Sequence, residues 1–245
     1  MKAERLSFGE KRWKADVRML SDITDVVYDQ NWAENHEDIP LYYMYRGLYH
    51  TSEEKTTMEK YRLRYDITII PPLMLGKEYV KTAGHYHPEV PGDKLSYTEI
   101  YQVLEGKAEY ILQKTKNGII KDIILIHATK GNIVIIPPNY GHITINTSKN
   151  RLKMSNWVSS EFTSIYEPIK EKRGAAYYFL KDNTIIKNQN YTKIPELQKI
   201  KPTDPNLLNL TPGEDIYKLI KTPAKLNFLN NPQKHIELFE ETTQE

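Results

Sequence analysis

The chain has 245 residues, enough for one sizeable core, and its 39% hydrophobic and 27% charged residues exclude a disordered chain. Its 34 Lys and Arg nearly cancel its 32 Asp and Glu, so the charge offers no reason to expect nucleic acid or an anionic membrane as partner. It has no cysteine, which excludes disulfides, zinc fingers, iron–sulfur clusters and thiol catalysis and leaves histidine and oxygen ligands for any metal.

No apolar run approaches the roughly 20 residues that span a bilayer. Met1-Lys2-Ala3-Glu4-Arg5 lacks the apolar core of a signal peptide, so the expected location is cytoplasmic.

Short helical patterning runs over Lys11–Leu20 and ends at Ser21-Asp22. Asn31 to Pro40 is polar and reads as a loop. From Tyr61 the texture changes. Tyr61, Leu63, Tyr65, Ile67 and Ile69 alternate with Arg62, Arg64, Asp66 and Thr68, which predicts a strand over Tyr61–Ile70 stopped by Pro71-Pro72. Further short strands are expected at Glu78–Ala83, Thr98–Leu104, Ala108–Gln113, Ile119–Ile126, Asn132–Ile136, His142–Asn146, Leu152–Val158 and Ala175–Leu180. Turn signals separate them, among them Pro91-Gly92, Lys116-Asn117-Gly118 and Arg173-Gly174. Many short strands at this spacing predict an all-β antiparallel sandwich or barrel. The lysine-rich Lys114–Lys121 stretch reads as a solvated hairpin turn.

Thr184–Lys187 could add a strand, and beyond it Pro202, Pro205, Pro212, Pro223 and Pro232 punctuate short apolar clusters. The expectation is an extension with one or two short helices packed on the barrel, frayed at Glu240–Glu245. Three parts result: residues 1–48 as an N-terminal segment packing on the barrel, 49–190 as the barrel, and 191–245 as the extension.

Among seven histidines, two form His85-Tyr86-His87. On a strand, side chains at i and i+2 share a face, so two imidazoles can reach one ion. A single strand histidine is more often structural or solvated than a ligand; the surrounding pattern decides here. Glu99 follows within Tyr97-Thr98-Glu99-Ile100-Tyr101, and His142 follows Pro137-Pro138. Three neutral imidazoles and one carboxylate suit a divalent first-row metal such as Fe, Mn, Ni, Co or Zn. His36, His50, His127 and His235 fit no motif and read as structural or exposed.

Glu99 is followed by six residues and Gly106, while Gly131, Pro137, His142 and Asn146 form a second spaced set. Together these resemble the two motifs of the cupin superfamily. That resemblance implies a double-stranded β-helix, a jelly-roll barrel, with His85, His87, Glu99 and His142 as metal ligands. Tyr79 stands where the pattern has Gly, Asn139 replaces the Gly of Pro-x-Gly, and the 88–96 linker is long. Asparagine also tolerates left-handed backbone angles.

The chain further resembles the cupin-type glucose-6-phosphate isomerases of archaea and some bacteria. The shared patterns are Thr82-Ala83-Gly84-His85-Tyr86-His87, Glu99-Ile100-Tyr101-Gln102-Val103-Leu104-Glu105-Gly106 and Pro-Pro-x-x-x-His at residues 137–142, with an upstream likeness at Val17–Asp22. This resemblance implies interconversion of glucose 6-phosphate and fructose 6-phosphate in glycolysis and gluconeogenesis. It implies one divalent metal, Fe2+ first among Mn2+, Ni2+, Co2+ and Zn2+, with Glu99 as catalytic proton carrier; a metal-assisted hydride shift competes. Tyr49, Thr68, Thr82, Gly84, Tyr101 and Tyr166 match substrate-binding positions, and Ser164 stands where the family has a histidine. Read without the resemblance, Thr68 and Thr82 are equally strand threonines, and Tyr49 and Tyr166 core or rim tyrosines. The expected partners are a sugar phosphate and a second copy in a homodimer to which Lys2–Trp13 contributes, with neither nucleic acid nor membrane. An Fe(II)-dependent cupin dioxygenase and a non-catalytic sugar-binding cupin remain as alternatives, because fold alone does not fix function.

Overall fold

The computed structural model describes residues 5–243. Its first strands, β1 (Arg5–Phe8) and β2 (Lys11–Lys14), form a hairpin, and β3 (Asp16–Met19) follows. The helical expectation over Lys11–Leu20 is therefore overturned. Leu6, Phe8, Trp13 and Val17 pack onto a core beside Tyr49, and this tertiary contact outweighs the weak local period. Helix α1 (Gln30–Asn35) lies inside the stretch read as a loop, its N-terminus capped by the Asp29 side chain, which accepts from Trp32 N–H at 3.0 Å. Strand β4 (Pro40–Tyr45) comes next.

Helix α2 (Ser52–Tyr61) is closed by a Thr51–Glu54 capping box and ended by Arg62 at φ +54°. Only then does β5 (Leu63–Ile70) start, so the first two residues of the predicted strand belong to a helix end and its cap. The short strands β6 (Met74–Leu75) and β7 (Glu78–Tyr79) lead to the main run: β8 (Glu99–Glu105), β9 (Lys107–Lys116), β10 (Ile119–Thr129), β11 (Ile133–Ile136), β12 (Tyr140–Ile145) and β13 (Leu152–Ser159). The β9–β10 turn is Asn117-Gly118, both with positive φ, as a two-residue hairpin of primed type requires. Helix α3 (Glu167–Lys170), β14 (Tyr177–Leu180), β15 (Thr184–Lys187) and β16 (Gln198–Ile200) follow. The tail holds 3-10 turns at Pro205–Leu208, Ile216–Lys221, Pro223–Leu229 and Pro232–Lys234, then α4 (Ile236–Thr242), more helical turns than expected. Residues 1–4, which include the start of the Lys2–Trp13 contact, and the last two of Glu240–Glu245 lie outside the described residues. No described helix is long and apolar enough to cross a membrane.

The expected all-β, two-layer jelly roll is observed. One sheet runs β11-β8-β13-β5-β4-β3 and a second runs β12-β9-β10-β16, with separate small sheets at the ends. The ladders remain separate sheets among the described residues rather than one continuous barrel. Residues 1–48 do more than pack on this body, since β3 and β4 are strands of the larger sheet. Between the layers lie Val103 and Met154 from one sheet and Tyr110 and Leu112 from the other.

A second core covers the outer face of the larger sheet. Tyr65, Ile67, Ile100 and Trp157 are buried there under Ile216, Tyr217, Leu226 and Phe228 of the C-terminal extension. The fully buried Trp157 donates its indole N–H to the Ile216 carbonyl at 2.8 Å. The apolar face of β5 thus points outward under the extension, and its polar face, Arg64, Asp66 and Thr68, points between the sheets.

Gly106 turns β8 into β9 at φ +81°, and a Cβ there would stand 2.4 Å from the Arg151 carbonyl oxygen. Gly106→Ala should therefore cost more than about 1 kcal/mol, measured by urea unfolding; an unchanged midpoint would show that this turn relaxes freely.

Candidate metal centre

The segment Thr82–His87 runs antiparallel to β12. Thr82 N–H donates to the Thr144 carbonyl at 2.9 Å, and His85 and His142 exchange both backbone bonds at 3.2 and 3.0 Å. This pairing sets the two imidazoles side by side, with ring centroids 4.4 Å apart. His87, two residues on, returns to the same face. Tyr86 takes the other face and lies over Gly141, where a Cβ would meet its ring at 2.5 Å. Glu99 arrives from β8, across the gap between the sheets. Its Oε2 stands 3.3 Å from both His87 Nε2 and His142 Nε2, and the His85 and His87 Nε2 atoms are 3.2 Å apart. One ligand atom from each of His85, His87, Glu99 and His142 lies within 4.8 Å of all the others.

The surroundings prepare these groups as ligands. Burial pushes His85 and His142 below the ordinary imidazole range, so both rings are neutral. Burial opposes the Glu99 charge, but the His142 and His87 imidazoles beside Oε2 outweigh it and hold the carboxyl well below its usual range. Glu99 Oε1 accepts from Asn156 Nδ2 at 2.7 Å, while the buried Oε2 has no hydrogen-bond donor. His87 Nδ1 is 3.0 Å from the Tyr97 carbonyl, which fixes the proton there and leaves the Nε2 lone pair facing Glu99. Neutral imidazoles converging on an ionised, half-satisfied carboxylate match the donor set of a divalent first-row cation.

The four side chains sit on the wall of a cavity of about 290 Å³, which Thr68, Thr82, Gly84, Tyr101, Ser164 and Tyr166 also line. Tyr101 OH is 3.2 Å from His142 Nε2, and burial raises its pKa well above the usual phenol range, keeping it neutral. The Tyr166 ring lies 5.5 Å from that of His85. Gly84 has φ +76°, and a Cβ there would strike Ile143 at 2.3 Å, so packing alone demands a glycine. Asn139 holds φ +69°, the left-handed angle expected of it.

Tyr49 stands apart from the other expected substrate residues. Its hydroxyl bonds Lys11 Nζ at 2.5 Å and its ring meets Trp13 edge-on at 5.1 Å, beside the outer core. Tyr42 of β4 lines the cavity instead, its hydroxyl accepting from Ala83 N–H at 3.2 Å. The signal was the alternation of Tyr42 and Met44 against Tyr43 and Tyr45 in a strand the sequence reading left unassigned. Arg46, Arg64, Asp66 and Asn156 also line the cavity without having been singled out. His36, His50, His127 and His235 are not among its lining residues.

The model of a known family, described as glucose-6-phosphate isomerase, matches residues 17–196. This chain belongs to the glucose-6-phosphate isomerase family. Its relatives include the glucose-6-phosphate isomerase of Pyrococcus furiosus, 34% identical over 136 residues, covering 54% of this chain and 64% of that protein. That of Thermococcus gammatolerans is 30% identical over 161 residues, 65% of this chain and 77% of the relative. The matched region spans just under two thirds of the Pyrococcus furiosus relative. A solved oxalate oxidase is similar at TM-score 0.34 and 17% identity, over 44% of this chain and 47% of that one. All four clustered side chains fall within the part of the chain that matches the isomerase family.

His85 and His142 fold with pKa values below the ordinary 6.5. Between the lowered folded values and 6.5 the unfolded chain binds more protons, so stability rises with pH up to about 6.5 and is lost below it. Glu99, lowered from 4.5, adds the same sign at lower pH. The metal-free protein should lose Tm between about pH 7 and 5, and His142→Asn should flatten the slope; calorimetry across that range with no such loss would contradict the neutral-imidazole assignment.

Proposed function

We propose that this protein is a metal-dependent isomerase interconverting glucose 6-phosphate and fructose 6-phosphate. The carrying observation is the cluster of His85, His87, Glu99 and His142 on the wall of a cavity that Thr68, Thr82, Gly84, Tyr101 and Tyr166 also line. Family membership and the names of the relatives support the same reaction. A divalent cation held by the four side chains, Fe2+ as first choice, supplies Lewis-acid stabilisation of negative charge on the substrate oxygens when bound.

The protein's own groups do the rest. Asn156 fixes the rotation of the Glu99 carboxylate through Oε1. Glu99 carries the proton between C1 and C2, the step that aldose–ketose interconversion requires. Thr68 and Thr82 bind the phosphate end, Gly84 and Tyr166, both beside His85, contact the sugar, and Tyr101, kept neutral, donates toward a sugar oxygen. The apolar walls, Met44, Met154, Val158 and Phe162, exclude water from the reacting carbons.

The three parts, residues 1–48, 49–190 and 191–245, divide labour in this reading: the proposed metal ligands and substrate-binding groups lie in the middle one, the first adds Tyr42, Met44 and Arg46 to the cavity wall, and the tail covers the outer face. A cytoplasmic location agrees with a sugar-phosphate substrate.

Fructose 6-phosphate supplied to purified protein should yield glucose 6-phosphate in a dehydrogenase-coupled assay. EDTA should abolish turnover, and Fe2+, Mn2+ or Ni2+ should restore it. His87→Ala should lose bound metal while its far-ultraviolet circular dichroism stays unchanged. Proton transfer through Glu99 predicts solvent deuterium in the product, whereas none would mean a hydride shift. Oxygen uptake without isomerisation would mark a dioxygenase, and sugar-phosphate binding without turnover a non-catalytic cupin.

A homodimer completes the reading. Strand β3 ends the larger sheet, leaving an edge on which a second copy can pair. Sedimentation equilibrium should give twice the chain mass, and a monomer at micromolar concentration would remove the proposal.

A further inference from the structure

The cavity carries a cationic group that the isomerase motifs do not assign. Arg64 and Arg46 both line it. Arg64 is the better placed. Its Nε donates to both oxygens of the buried Asp66, at 3.1 and 2.9 Å. Asp66 is itself fixed by the Gly47 N–H at 2.9 Å. No other acceptor among the described residues bonds the Arg64 guanidinium, so its terminal amino groups keep their donors for the cavity. Arg46 keeps its charge beside it, 3.3 Å from the exposed Asp16 carboxylate.

Strand register says which end of a substrate these cations meet. Val158 of β13 pairs with Glu99 on one side and with Arg64 on the other, so Glu99 and Arg64 share one cross-strand row, about 10 Å apart at the backbone. Thr68 lies four residues along β5 from Arg64, about 13 Å away, in the row of Met154 and Val103. The opposite wall has the same polarity, because Thr82 pairs near Thr144 while His85 pairs with His142. Both walls therefore run from a hydroxyl end to a metal-ligand end, and Arg64 belongs to the second.

We infer that Arg64, positioned by Asp66 and flanked by Arg46, contacts the C1–C2 end of the bound sugar phosphate and selects for negative charge there. This deepens the isomerase reading and rests on it. A phosphate held at the Thr68–Thr82 end leaves the reacting carbons in the Glu99–Arg64 row. Charge that develops on their oxygens meets a guanidinium on the side away from the imidazoles. Asp66 neutralises part of that cation in the resting site and holds its plane, so little reorganisation accompanies the reaction.

The test compares two inhibitors of the metal-loaded enzyme that share chain and phosphate: a six-carbon aldonate phosphate, anionic at C1, and the matching alditol phosphate, neutral at C1. The wild type should bind the aldonate more tightly. Arg64→Gln should raise the aldonate Ki about tenfold and leave the alditol Ki within about twofold, with metal content unchanged. Equal weakening of both inhibitors, or of neither, would overturn the inference. If Arg64→Gln does not fold or does not hold metal, Arg46→Gln on its exposed side chain is decisive. It should lower the aldonate preference about threefold, and an unchanged preference rejects the assignment. A wild type that neither turns over fructose 6-phosphate nor binds either inhibitor fails as a sugar-phosphate isomerase, and the Arg64 role falls with it. Turnover with no aldonate preference condemns the Arg64 role alone.

Discussion

A carboxylate cannot be buried alone. Glu99 is 4% exposed, and burial penalises its charge more than any single neighbour relieves it. The His87 and His142 imidazoles and the Asn156 amide together make the charge tolerable. Each of those groups is placed by backbone pairing: His85 against His142 by two mutual hydrogen bonds, Glu99 and Asn156 by neighbouring strands of the larger sheet. The site is thus an outcome of register. A slip of one residue in β8 or in Thr82–His87 would turn the ligands to the other face and leave apolar side chains in their place.

That arrangement needs a sheet whose inner face is polar, which a two-layer β protein ordinarily reserves for its core. The C-terminal extension resolves the conflict. By burying Tyr65, Ile67, Ile100 and Trp157 against Ile216, Tyr217, Leu226 and Phe228, it supplies the larger sheet with an apolar core on its outside. The inside at Arg64, Asp66, Thr68, Glu99, Tyr101 and Asn156 is then free to be chemical rather than cohesive. The hydrogen bond from the Trp157 indole to the Ile216 carbonyl and the Gln102 contacts with Ile216 N–H and the Glu214 carbonyl pin the extension to that face.

Much of this was legible because period-two patterns and turn residues are local. The β5 alternation, the Asn117-Gly118 turn and the strands from Thr98 to Val158 were read nearly where they lie, and the His-x-His pair with the cupin resemblance pointed to the four side chains that the structure brings together. What escaped was set by distant contacts. The Lys11–Leu20 segment has a weak helical period, but as a strand its Trp13 meets Tyr49, while Phe8 of the strand paired with it meets His50 and Tyr217. The Thr51–Glu54 capping box was a readable signal, obscured by reading Tyr61 as the first strand residue. Tyr42 and Tyr49 show the limit most directly. Tyr49 was matched to a family position and Tyr42 was not, and only the inward phase of β4 tells which one meets the cavity.

The polar residues of β5 carry the deepest lesson. Arg64, Asp66 and Thr68 look, in sequence, like the solvated side of an edge strand. The structure makes β5 central, flanked by β13 and β4. A charged pair in a central strand facing inward must be compensated, and Arg64 and Asp66 compensate each other through two bonds. Replacing the pair by apolar residues of similar volume would often stabilise a fold. Its retention on the wall that faces the imidazoles is therefore a choice of chemistry over cohesion. It gives the space between the sheets a fixed polarity: hydroxyls at one end, and at the other a guanidinium opposite a ring of histidines. A molecule that is anionic at one terminus, and becomes anionic at the other as it reacts, fits that polarity in one direction only.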